Sequence, residues 1–185
     1  MKILLLVLLS CAVHKTTYAE TKHFYIKPES KSHCPKIGIT VKAWQENSQI
    51  KYLANPNEVT SLFKKVKKHA DSYPPMFKDQ KEKECIEAEL QLLIKVLKVQ
   101  SEETNVTATK ILYAYSLAMG HNLDFKDSAS LADKTYEEIL AKEPENCAAN
   151  YAYGKFLLES DRISKAIFYS LRALPKCPEA TELYS

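Results

Sequence analysis

Four cysteines, one run of lysines and a few spaced tyrosines are the residues of this 185-residue chain best equipped for chemistry or recognition. Cys34, Cys85, Cys147 and Cys177 stand far apart, and a fifth, Cys11, lies in the first segment. Disulfide-exchange enzymes use a C-x-x-C pair, and zinc sites use closely spaced cysteines and histidines. Neither spacing occurs; His33–Cys34 is adjacent and isolated. Four cysteines in an exported chain permit three disulfide connectivities, with free buried thiols as the alternative. Other catalytic signatures are missing as well. With only three glycines there is no phosphate-cradling loop, and neither G-x-S-x-G nor H-E-x-x-H is present. Glu87/Glu89 and Glu137/Glu138 fit solvated helix faces. His121 follows Gly120 at an expected helix end, where an imidazole caps carbonyls. The expectation is a protein without catalysis, cofactor or metal.

The start of the chain reads as an address. Lys2 precedes a largely apolar stretch, Ile3 to Val13, and a short polar segment ends Thr17-Tyr18-Ala19. That is the layout of a secretory signal over residues 1–19. The apolar stretch spans about 16 Å as a helix, against about 30 Å for a hydrocarbon core, so an anchor is not expected. Leu8-Leu9-Ser10-Cys11 also resembles a lipoprotein box that would acylate Cys11. The segment before Cys11 is short for that, and cleavage after Ala19 is the preferred reading. The expected location is periplasmic or secreted.

Charge divides the rest of the chain. Residues 20–100 carry 15 lysines against 10 acids, while residues 101–185 carry nine Lys or Arg against 13 acids. The halves nearly cancel, which gives no electrostatic reason to expect nucleic acid binding. The opposite signs complement each other within one fold or across a dimer. The alternative is a basic patch for an anionic partner.

The elements that must position these residues are mostly helical, with alanine, leucine, lysine and glutamate dominant. Residues 20–56 read as an irregular N-terminal arm or a small hairpin, with strand-like composition at His23–Ile26 and Ile37–Val41. Trp44 is expected to anchor this arm on the helices. Residues 57–72 form a basic amphipathic helix, capped by Asn57, with Leu62, Phe63, Val66 and Ala70 on one face and Lys64, Lys65, Lys67, Lys68 and His69 around the rest. Asp79 to Glu82 reads as a capping box that opens a helix to about Gln100. Together 57–100 make a divergent helical pair. Helices are then expected at Thr104–Met119, with Gly120 as C-cap, at Ser128–Lys142, from the Asn146 cap to Glu159, and at Arg162–Leu174.

Over residues 101–185 the pattern repeats. Ala132 and Ala166, Ile139 and Ala173, Leu140 and Leu174, and Pro144 and Pro178 are each 34 residues apart, and Tyr113-Ala114-Tyr115-Ser116 echoes Tyr151-Ala152-Tyr153-Gly154. This resembles the tetratricopeptide repeat family, with units at about 104–144 and 146–178, the start of another at 179–185, and a small residue on each first helix (Ser116, Gly154) expected to face one on the second (Ala132, Ala166). Asn150 departs from it, standing where the family carries an aromatic residue. The resemblance implies an all-α array of helix-turn-helix repeats whose first helices line a concave groove for a protein or peptide partner. Carried over by position, the groove residues are Tyr113, Leu117 and His121 from one unit and Tyr151, Lys155, Leu158 and Glu159 from the next. Tyr113 and Tyr151 would stack along one wall, and Lys155 would meet a carboxylate. The repeat layout also implies the pairing Cys147–Cys177, leaving Cys34–Cys85. A face around Tyr153, Leu157, Leu171 and Leu183 is expected to self-associate. The reading is an exported, non-catalytic scaffold for protein–protein interaction. The alternative is an envelope-associated protein that contacts lipid or cell-wall polymer through the basic helix 57–72.

Overall fold

The computed structural model describes residues 21–28, 31–35, 38–46 and 49–173. The expected leader with Cys11, and Cys177 and Leu183 near the other end, lie outside the described residues.

Residues 20–56, read as an irregular arm or a small hairpin, form a small sheet. Three antiparallel strands form there: β1 (Lys22–Ile26), β2 (Ile39–Glu46) and β3 (Gln49–Ala54), in the order β1-β2-β3. The β-branched run Ile39-Thr40-Val41 favours a pleated surface. Alternation then points Ile39, Val41 and Ala43 inward, where they are buried, and leaves Lys42 exposed. Trp44 shares the outer face with Lys42 and is half-buried. It does not anchor the sheet on the helices.

Six helices follow among the described residues. α1 (Pro56–Ala70) starts where the Asn55 side chain accepts the Asn57 N–H at 3.1 Å. The cap is therefore Asn55 and not Asn57, and Pro56 occupies the first turn, where a missing donor costs nothing. α2 (Gln80–Thr104) opens as predicted, with the Glu82 N–H on the Asp79 carboxylate at 2.8 Å. It runs a turn past Gln100 and stops at Asn105, which takes a left-handed φ of 51°. α3 (Thr107–Asn122) and α4 (Ser128–Lys142) form one antiparallel hairpin, and α5 (Cys147–Glu159) and α6 (Ile163–Ala173) form the next. Gly120 lies inside α3 and does not cap it. A Cβ there would come within 2.9 Å of Ser128 Oγ, so the crossing with α4 needs its absence. The α5–α6 crossing is closer still, because a Cβ on Gly154 would sit 2.6 Å from Ser170 Oγ and 3.3 Å from the Ala166 carbonyl. The expected pairing of small residues across the hairpin holds there. Asn150 is fully buried and donates to the carbonyls of Pro144 (2.9 Å) and Asn146 (2.8 Å), so it ties the α4–α5 turn where an aromatic ring could not.

Two main cores result among the described residues. Ile39, Val41 and Ala54 of the sheet pack with Val59, Leu62 and Val66 of α1 and with Ile86, Leu90, Leu93 and Leu97 of α2. The arm and the helical pair thus share one core. The second core joins Ala114, Leu117, Ala132, Tyr136, Tyr153, Phe156, Leu157 and Ala166. Tyr153 and Leu157 are fully buried within it, so they offer no self-association face; Leu171 is exposed.

Candidate functional site

The face expected to hold a partner holds the chain's own first helix. α1 packs against α3, and α3 lies beside α5. The last carbonyls of a helix have no intrahelical donor and carry the negative end of its dipole. At the end of α1 these groups meet α5 and α3. Lys155 donates to the Asp71 carbonyl (2.5 Å) and pairs with the Asp71 carboxylate (2.8 Å). Asn122 donates to the Ala70 carbonyl at 3.0 Å, and Tyr115 donates its hydroxyl to Asp71 Oδ1 at 2.5 Å. Burial, and then the Asp71 charge, push the Tyr115 phenol far above its usual range, so it remains a donor. Lys155 does meet a carboxylate, but one supplied in cis.

Glu159 closes the cluster, 3.7 Å from Lys155 and accepting from Asn122 at 3.2 Å. Desolvation raises its pKa above 4.5, and Lys155 and Asn122 offset only part of that. Tyr136 reaches the same place from α4. Its ring is fully buried, and its hydroxyl has no hydrogen-bond partner among the described residues where it lines a cavity of about 10 Å³ shared with Asp71, Tyr115 and Glu159. Each charged group in the cluster is bonded to another group of the chain, an arrangement suited to holding α1 in place.

The seven expected groove residues therefore part company. Lys155 and Glu159 come together on the α1 end. His121 packs edge-on against Phe156 at 5.9 Å and, with Glu159, lines an open recess of about 530 Å³ that also holds Asp133, Asp161 and Arg162. Arg162 pairs with Asp133 at 2.5 Å. Leu158 is 57% exposed. Leu117 and Tyr151 are buried, Tyr151 beside Ala173 of α6, and Tyr113 is half-buried between the two cores. They form no open wall. Sequence reasoning missed Asp71, Tyr115, Asn122 and Tyr136. Tyr115 stood inside the repeated Tyr-Ala-Tyr motif, but Asp71 is 44 residues from it and carried no local signal.

The basic helix also divides. Lys64, Lys67, Lys68 and His69 line a recess of about 400 Å³ with Asp71, Ser72, Pro74 and Met76. Lys65 faces inward to Glu89 at 2.7 Å. The preferred pairing Cys34–Cys85 is present, with Cα atoms 5.3 Å apart. A ring nitrogen of His33 lies within 4.8 Å of both sulfurs, which are joined in the disulfide. Cys147 is disulfide-bonded too, and its expected partner Cys177 lies outside the described residues. No helix among the described residues is long and apolar enough to cross a membrane. No protein family, curated protein or solved structure matches the chain, and the resemblance to tetratricopeptide repeats rests on its own residue pattern.

Proposed function

We propose that this chain is an exported, non-catalytic scaffold of the tetratricopeptide type that binds another protein through the open end of its concave helical face, at His121, Leu158 and Glu159. The observation that carries this reading is the grip on α1. Lys155, Asn122 and Tyr115 hold a carboxylate and two helix-end carbonyls, which is the chemistry of a surface that recognises a chain segment by its polar groups. The recess lined by His121, Asp133, Glu159 and Asp161 continues that face. The recess also holds Arg162, paired with Asp133, so the preference for a partner segment rich in lysine or arginine rests on Asp161 and the acidic balance of residues 101–185. Export is supported by the signal-like residues 1–19 and is compatible with the Cys34–Cys85 disulfide, since such bonds persist in oxidising compartments.

A photo-crosslinker placed at Leu158, with a control at exposed Lys142, tests this. One protein captured at Leu158, not at Lys142, and lost on Glu159→Arg is the expected result. Equal capture at both sites, or none, overturns the reading. A second reading has an observation of its own: the basic recess on α1 favours contact with an anionic lipid surface or cell-wall polymer. Salt-sensitive binding to phosphatidylglycerol vesicles, abolished by joint Lys64, Lys67 and Lys68→Glu, would support it. Lys65 is left out of that variant because its ammonium belongs to an internal pair.

A further inference from the structure

The sheet has two edges, and the fold guards one of them. Along β3 the Ala54 N–H donates to the Gln100 side chain at 3.3 Å and Lys51 pairs with Glu103 at 3.2 Å, so α2 covers that side. β1 has no such cover among the described residues. Its main chain pairs there with β2 alone, and all five of its residues are exposed.

An open edge strand carries unpaired N–H and C=O groups at alternate residues, and it templates the addition of another strand. Folded chains blunt such edges with proline, a bulge or several charges. β1 uses none of these. Its register with β2 runs unbroken from Lys22↔Ala43 to Ile26↔Ile39, it contains no proline, and Lys22 at its first position is its one lysine, arginine or acid. The side chains are as uncovered as the backbone. Residues directly opposite share a face, so Phe24 and Ile26 lie on the same side as buried Val41 and Ile39. Phe24 is nevertheless 49% exposed and Ile26 40%, and Tyr25 on the other face is 52% exposed. Contiguous exposed apolar residues on an unguarded edge mark a contact surface.

We propose that β1 pairs antiparallel with β1 of a second copy of this chain, joining two three-stranded sheets into one. The strand's own sequence selects that occupant. In a two-fold arrangement centred on Phe24 every residue of β1 finds a partner: Phe24 lies opposite Phe24, His23 opposite Tyr25, and Lys22 opposite Ile26. Aromatic rings meet aromatic rings, and the two lysines stand at opposite ends of the ladder. Parallel pairing in register would set Lys22 against Lys22, and like charges directly opposite are destabilising. The contact is isologous and closes at two copies, because α2 guards the other edge of each sheet. A five-residue strand on each side makes a small interface, so the association is weak.

Sedimentation velocity of the purified chain over a concentration series tests the pairing. A reversible monomer–dimer equilibrium with a dissociation constant of about 10–100 μM is expected. Phe24→Lys sets two positive charges against each other at the centre and should weaken the dimer about tenfold. Because Phe24 is exposed, the variant should keep the melting temperature of the monomer. Leu171→Lys, on the exposed side of α6, should leave the equilibrium unchanged. Phe24→Cys should give a disulfide-linked dimer under mild oxidation, joined through position 24, whereas Val106→Cys, equally exposed at 50%, should not. A chain that stays monomeric up to about 1 mM overturns the proposal. So does a dimer that Phe24→Lys leaves intact or Leu171→Lys dissociates, or equal crosslinking through positions 24 and 106.

Discussion

The two halves of the molecule are held together by different means. In α3–α6 each helix packs first on its neighbour in sequence. Gly154 and Ala166 let backbones approach, and Tyr153 stacks with Tyr136 at 5.1 Å and meets Tyr169 at 4.6 Å. The sheet shares a core with α1 and α2 and adds fastenings between distant residues. A disulfide joins positions 51 apart, Thr40 N–H reaches the Glu58 carboxylate at 2.6 Å, and Lys65 neutralises buried Glu89. Hairpins formed by neighbouring helices interdigitate along their whole length. A sheet assembled from separate segments packs on helices that are distant in sequence, so long-range bonds add to the shared core in fixing its place.

That contrast can be broken or sharpened by substitution. The largest effect is expected from Tyr153→Ala, which empties the centre of the hairpin core; a loss of about 3–5 kcal/mol should appear in urea unfolding. A much smaller loss would mean that the aromatic stack does not hold the hairpins. Next comes the joint Cys34→Ser, Cys85→Ser variant, with an expected loss of about 2–4 kcal/mol from the opened loop. Amide exchange should rise in β2 and β3 and stay unchanged in α5; an equal rise everywhere would erase the distinction between the halves. Lys65→Met strands the Glu89 carboxylate between α1 and α2. The cost should be about 1–3 kcal/mol, limited because the Lys65 ammonium is partly wet. Tyr136→Phe runs the other way. It deletes a buried hydroxyl that has no partner among the described residues, so thermal melting should show a gain of up to about 1 kcal/mol. A loss of stability would show that the hydroxyl makes a bond in solution.

The smallest effect concerns pH. The folded pKa of Glu159 is raised above its unfolded value, so the native state holds that proton more tightly. This contribution is complete below the unfolded pKa and disappears as pH rises through the folded pKa. Relative to Glu159→Gln, the wild type should therefore lose stability as pH climbs from about 4.5, the ordinary value, toward neutrality. A difference that stays constant over that range would show that Glu159 does not feel its burial.

Legibility followed sequence distance. The Asp79 cap, the boundaries of α4, the Asn146 cap of α5 and the Gly154–Ala166 approach were readable because each depends on residues within one helix or one hairpin. Gly120 misled for the same local reason: glycine after a helical run signals a cap, whereas here it makes room for Ser128. Residues 20–56 were ambiguous because short β-branched runs broken by prolines do not say which strands pair. The candidate site was half legible. Lys155 could be expected to meet a carboxylate, but nothing near it named Asp71 as that carboxylate.

By itself the sequence determined the helices, the Asp79 and Asn146 caps and the Gly154–Ala166 crossing, because periodicity and residue size act over a few positions. It also determined that no familiar catalytic motif is present. Only the tertiary structure decided that α1 ends against α3 and α5, that Cys34 meets Cys85 across 51 positions, and that the sheet shares one core with α1 and α2. Those outcomes depend on how separately formed elements share one volume. Burial and hydrogen bonding fix that sharing between residues which no local pattern relates.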